Sequence, residues 1–197
     1  MPDPETIRVY DERSAEYAVA NAVDSSSELY LSMFIQACPF SGHVLDLGCG
    51  PGEHARVMAQ AGLTVDACDA SAEMVALAGQ HKGVNAFQAF FSEISGDNVY
   101  DGILASFCLL HAPRADFPGH LAALHKALKP GGAFHIGMKL GTGQARDSIG
   151  RLYTYYTTEE LGDYLAQAGF SDLNHLYGTS KGLDGTMADY VVILAHG

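Results

Sequence analysis

The chain has 197 residues, 48% of them hydrophobic, with a mean hydropathy of +0.05; that length and balance suit one globular domain with a sizeable core and exclude a disordered chain. Eleven Lys and Arg face 23 Asp and Glu, a net charge of −12, and a field of that sign repels phosphate backbones, so no nucleic-acid partner is expected. Met1–Glu5 lacks the charged and apolar runs of a secretory leader, and no stretch approaches the roughly 20 apolar residues of a membrane span; with Cys38, Cys49, Cys68 and Cys108 scattered and no C-x-x-C pair, a reduced, cytoplasmic protein without a zinc or other metal site is expected.

In chain order, the first 40 residues read as helical: an arm over Asp11–Val23, then Ser25–Cys38 with Ser26 or Ser27 as N-cap and Pro39 as the stop. His43–Leu47 reads as a strand, Gly52–Ala61 as a helix closed by Gly62, and Leu63–Asp69 as a second strand. Ser71 caps a helix to His81. Val84–Phe90 and Tyr100–Ser106 are further strands, Pro113 opens a helix, and Lys129-Pro130-Gly131-Gly132 turns into a strand over Ala133–Lys139. Thr157–Glu160 carries a capping signal for a helix to Ala168, and two late strands, Asp172–Tyr177 and Met187–Ala195, flank a Gly-rich turn. Strands alternating with helices predict a mostly parallel α/β sheet with helices on both faces. The short last connection makes one late strand antiparallel. No boundary divides the chain, so a single domain over 1–197 is expected: a helical arm (1–40), a core (41–140) and an acceptor-side loop with the final strands (141–197).

In such sheets ligands lie beyond the carboxyl ends of the strands. There Asp46-Leu47-Gly48-Cys49-Gly50-Pro51-Gly52 breaks a strand into a glycine turn, and Asp69 ends the next strand 69 − 48 = 21 residues on. That spacing sets a carboxylate against a ribose diol. A dinucleotide fingerprint would want Gly at position 53; Glu53 stands there, and Pro51 removes an N–H donor, both unfavourable to a pyrophosphate. A ribose-bearing cofactor without phosphate meets neither obstacle. The run resembles motif I of the class I S-adenosylmethionine-dependent methyltransferases, and Tyr100–Leu104 and Leu128–Gly132 agree with that family over roughly residues 40 to 140. The resemblance implies a Rossmann-like seven-stranded sheet and S-adenosylmethionine as cofactor, with S-adenosylhomocysteine as product. By it, Gly48, Cys49 and Gly50 would approach the methionine end, Asp46 would order the turn, and Asp69 would accept from the ribose hydroxyls. Ala70 and Met74 would line the adenine, and Ser106 would offer a carbonyl to the ammonium. Where the family often has an acid for the adenine amine this chain has Phe90, which leaves Ser92, Glu93 or backbone for that contact, with Phe91 beside them. Tyr10 of the arm would close the pocket.

Methyl transfer needs alignment, exclusion of water and, for a hydroxyl or ammonium acceptor, a base. His111, just past the fourth strand, is the candidate base; the alternative is a histidine that only bonds the loop before Pro113. His135, inside a strand, reads as core. Lys139, Arg146, Arg151 and Tyr153 gather three cations and an aromatic ring beyond the fifth core strand and are expected to contact an acceptor, an anionic one among the options; Gly141 and Gly143 there suit a mobile lid, and a solvated loop is the other reading. The expectation is a methyltransferase of a small organic molecule. A second reading is a non-catalytic protein that binds the cofactor as a regulatory or partner subunit; a nicotinamide oxidoreductase is disfavoured by Pro51 and Glu53. Oligomeric state is not legible.

Overall fold

The computed structural model describes residues 3–20 and 29–197. The chain opens earlier than expected, because Asp3 caps α1 (Pro4–Glu12) by accepting from the Thr6 N–H while Pro4 pre-sets the first turn. Arg13 leaves helical geometry, so the expected single arm helix is two, α1 and α2 (Ser14–Ala20). Ser26 and Ser27 lie outside the described residues; α3 (Leu29–Ala37) ends before Pro39.

The core follows as β1 (His43–Leu47), α4 (Glu53–Gln60), β2 (Thr64–Asp69), α5 (Ala72–Ala78), β3 (Val84–Gln88), β4 (Tyr100–Ser106), α6 (Phe117–Ala127), β5 (Leu128–Lys139), β6 (Gln144–Arg146), β7 (Leu152–Thr154), α7 (Thr158–Ala168), β8 (Ser171–Lys181) and β9 (Met187–His196). Seven strands form one sheet in the order β3-β2-β1-β4-β5-β9-β8. Only β9 runs against its neighbours, pairing antiparallel with both β5 and β8. The strand order reverses beside β1, between β1 and β4, which opens the crevice where ligands bind. Side chains alternate across the strands: Leu45, Leu47, Ile103, Phe134 and Ile136 pack under α6 and α7, whereas Val44, Val65, Leu104 and Leu194 pack under α3 and α4.

Four local departures from the expected elements have physical causes. Pro113 does not open α6: Leu109–His111 make one 3₁₀ turn, Ala112 is extended as a residue before proline prefers, and the helix starts four residues past Pro113, with Pro118 in its first turn. Leu128–Gly132 is the bulged start of β5, with Gly131 at φ +75 and a register shift opposite Tyr100. β8 runs on past Tyr177 to Lys181, leaving a short hairpin loop before β9 starts at Met187 as expected, and Gly178 stays inside β8 because the Tyr190 ring lies where its Cβ would be, at 2.4 Å. The segment after Lys139 folds as an antiparallel hairpin, β6 with β7. Among the described residues no helix is long and apolar enough to cross a membrane, and no group of three His, Cys, Asp or Glu is placed to hold a metal ion.

Candidate active site

Three strand ends meet at the glycine turn. Gly48 takes φ +63 and lies so close to the loop after β4 that a Cβ would stand 2.3 Å from Cys108 Cβ. Cys49 N–H donates to the Cys68 carbonyl and Gly50 N–H, at φ +53, donates to Asp69 Oδ2, both at 2.9 Å. The loop is thereby fastened to the end of β2. Asp69 also accepts from Ser71 N–H through Oδ1 at 2.9 Å, and its lone pairs still leave room for two hydroxyl donors. Burial raises its pKa against the pull of these backbone bonds. Ser71 caps α5 at Met74 N and donates its hydroxyl to Asp11 Oδ1 at 2.6 Å. Asp46, one position under the turn, is 1% exposed with Oδ2 unpartnered among the described residues, and burial pushes it up to about 6.

Above these groups lies a cavity of about 640 Å³, within the size range of small-molecule sites. Gly48, Gly50 and Asp69 line it together with Ser106 at the end of β4; Ala70, Met74, Phe91 and Ser92 add a largely apolar slot, His111 lines it as well, and Tyr10 and Tyr17 of the arm roof it. Glu93, one of the options for an adenine contact, is turned back to accept from Phe90 N–H at 2.8 Å, whereas Ser92 lines the slot. A second cavity of about 560 Å³ adjoins the first and shares Tyr17, Gly48, Gly50, Ser106 and Phe107 with it; Cys49 lines this one. Ser106 Oγ is buried without a partner among the described residues.

His111 sits in a buried chain. Its Nδ1 faces the Leu152 carbonyl at 2.6 Å, which can only accept, so Nδ1 carries the hydrogen and Nε2 accepts from Tyr10 Oη at 2.9 Å. Tyr10 Oη in turn accepts from Arg151 Nη1 at 3.0 Å, and Arg151 Nε donates to Asp147 Oδ2 at 2.8 Å. Burial holds His111 down to about 4, so the ring is neutral near pH 7 and both nitrogens are engaged.

None of Lys139, Arg146, Arg151 and Tyr153 lines either cavity. Arg146 grips Asp3 through both terminal nitrogens, at 2.9 and 2.8 Å, which ties the hairpin to the arm instead of facing an acceptor. Arg151 is set behind Tyr10, paired with Asp147, with side chains only 3% and 6% exposed. Lys139 Nζ lies 4.4 Å over the Tyr153 ring, and that ring packs on His111. The alternative reading of this loop, in which Arg146 or Arg151 pairs with Asp147, holds for Arg151. Sequence reasoning missed Asp11 and Phe107: Asp11 carries no local signal, since its partner Ser71 lies 60 residues away, and Phe107 occupies φ +54, where a sequence pattern leads one to expect glycine.

A family profile described as a methyltransferase domain matches residues 44–132. The chain is 35% identical over 92 residues to a ribosomal RNA small subunit methyltransferase C of Sodalis glossinidius, covering 46% of this chain and 25% of that protein. It is 34% identical over 135 residues to the ubiquinone/menaquinone biosynthesis C-methyltransferase UbiE of Rubrivivax gelatinosus, covering 64% of this chain and 53% of that one. The chain thus spans between a quarter and about half the length of these relatives. Among solved structures, a Burkholderia thailandensis 1,6-didemethyltoxoflavin-N1-methyltransferase superposes with a TM-score of 0.74 at 24% identity, over 96% of this chain and 87% of that one. The matched segment, a little under half of the chain, holds the glycine turn, Asp69 and β4, so in sequence the chain is similar to methyltransferase domains there, and over nearly its whole length it shares the fold of the superposed methyltransferase.

Proposed function

We propose that the protein is a methyltransferase that uses S-adenosylmethionine and acts on a small molecule. The observation that carries this is the Asp69 carboxylate, fixed by Gly50 and Ser71 N–H groups in the lining of a roofed cavity that includes an apolar slot. Such a group fits the residues present: Asp69 for the ribose hydroxyls, Ala70 with Met74 and Phe91 around the adenine, Ser92 at its edge, and Gly48, Cys49, Gly50 and Ser106 toward the methionine end. Asp46 supports the turn from below. When bound, the cofactor supplies a methyl already activated on a sulfonium. The chain's own residues align the acceptor and keep water out, and Tyr10 and Tyr17 are the roof that does the latter. His111 serves in this reading as a neutral group that positions Tyr10; it becomes a base only if Tyr10 gives up Nε2. A net charge of −12 and a roofed site favour a small acceptor over a nucleic acid. Arg146 and Arg151 are each paired with a carboxylate of the chain itself, which weakens the case for an anionic acceptor.

Calorimetry with S-adenosylhomocysteine tests the reading. Asp69→Ala removes a charged acceptor from two hydroxyl donors and is expected to cost about 1.5–3 kcal/mol, or roughly 10- to 150-fold in affinity. Binding indifferent to Asp69 would remove the assignment.

A further inference from the structure

We infer that the second cavity is the acceptor site and that it takes a planar aromatic molecule bearing a ring O–H or N–H; this rests on the cofactor reading above. Position comes first. The two cavities meet at Gly48, Gly50, Ser106 and Phe107, at the end of β4, so a molecule in the second abuts the methionine end of a cofactor held in the first. The buried, unpartnered Ser106 hydroxyl stands at this junction, a polar group with capacity left for a ligand.

The walls give the chemistry. Tyr17, Tyr30, Phe107, Tyr177 and Tyr190 surround the space, and aromatic rings select flat π-systems through offset and edge-on contacts. Two of these rings are held in place by the backbone. Phe107 is kept in the left-handed region at φ +54, its N–H bonded to the Gly137 carbonyl at 3.1 Å and its ring packed over Gly137. Tyr190 lies against Gly178, where no side chain would leave it room, and meets Phe107 edge-on at 5.3 Å. Tyr177, 62% exposed, stands on the same wall and reaches the surface. The charged side chains on the wall are Glu53, paired with Arg56 at 2.8 Å, and Lys181 at the end of β8, and the five aromatic rings outnumber them. In the transfer, a lone pair on the ring oxygen or nitrogen forms the bond to the methyl carbon. The carbon–sulfur bond breaks with its electrons passing to sulfur, which becomes a thioether, and the acceptor proton leaves to water at the cavity mouth.

The test measures calorimetric binding of 2-naphthol, 8-hydroxyquinoline and xanthine, with and without saturating S-adenosylhomocysteine. It also follows transfer of tritiated methyl from S-adenosylmethionine to these three and to ethanolamine and malonate. Ring compounds are expected to bind and to be labelled, and the two aliphatic compounds are not. Tyr190→Ala and Tyr177→Ala, neither of which touches the first cavity, should weaken ring binding at least tenfold while S-adenosylhomocysteine affinity stays within twofold; Tyr190→Phe should restore it. Failure of all three rings to bind, equal binding by the alanine variants, or labelling of the aliphatic compounds instead overturns the inference. Absence of S-adenosylhomocysteine binding overturns the cofactor reading, and ring binding to the cofactor-free protein still judges the cavity alone.

Discussion

His135 is fully buried beside Tyr30 and Phe34, with both ring nitrogens lacking partners among the described residues, and burial depresses it to about 3. An unsatisfied buried polar ring costs free energy that an apolar side chain of similar size does not. His135→Leu, flanked in the sheet by Leu104 and Leu194, is therefore expected to stabilise the protein by about 1–2 kcal/mol at pH 7, measured by urea unfolding. The sign of its pH effect follows from the depressed value. Below about 6.5 the unfolded chain takes up a proton that the folded ring refuses, so stability is lost on acidification down to about pH 3. The variant should lose about 2 kcal/mol less than the parent between pH 7 and pH 5. At this scale the sequence was legible where the geometry is local. The spacing from Gly48 to Asp69 reports one β-α-β step, and Gly50 does donate to that carboxylate. The partner of a guanidinium is a long-range matter: Arg146 reads as an acceptor contact until the fold brings Asp3 to it from 143 residues away.

Strand 100–106, the α5 cap at Ser71 and the α7 cap at Thr157 follow from residues within one or two turns, so these elements were readable from the chain. Thr157 and Glu160 complete a capping box, with Thr157 Oγ1 accepting from Glu160 N–H and Glu160 accepting from Thr157 N–H. Thr157→Ala should cost about 1 kcal/mol, read as a shift in denaturant midpoint. The hairpin of β6 and β7 was not readable, because what fixes it is the buried Arg151–Asp147 pair and the docked arm. Removing only Arg151 leaves an uncompensated buried acid, so Arg151→Met is expected to cost about 3–5 kcal/mol; adding Asp147→Leu to it should return most of that loss in a double-mutant cycle.

For the whole molecule the proposed cofactor is also a stabiliser, since it binds the folded state. S-adenosylhomocysteine at 100 times its Kd should add about 2.7 kcal/mol and raise Tm by about 5–10 °C. Asp69→Ala at the same concentration should show little of that shift by differential scanning. The mostly parallel sheet and the one antiparallel late strand followed from patterning and the short last connection, whereas the order of the strands was not read from the sequence. Nor were the two cavities, because their roof and walls join the first 20 residues to loops 100 and more positions away.

That roof is sewn down at four separate places: Asp3 to Arg146, Thr6 Oγ1 to Leu152 N–H, Tyr10 to Arg151 and His111, and Asp11 to Ser71. Parting them lifts α1 from the first cavity, so local opening of α1 is expected to speed exchange of whatever that cavity holds. The outermost stitch, Arg146 with Asp3 and Glu5, faces solvent and is screened by salt. Residence time in the first cavity is consequently expected to shorten as ionic strength rises.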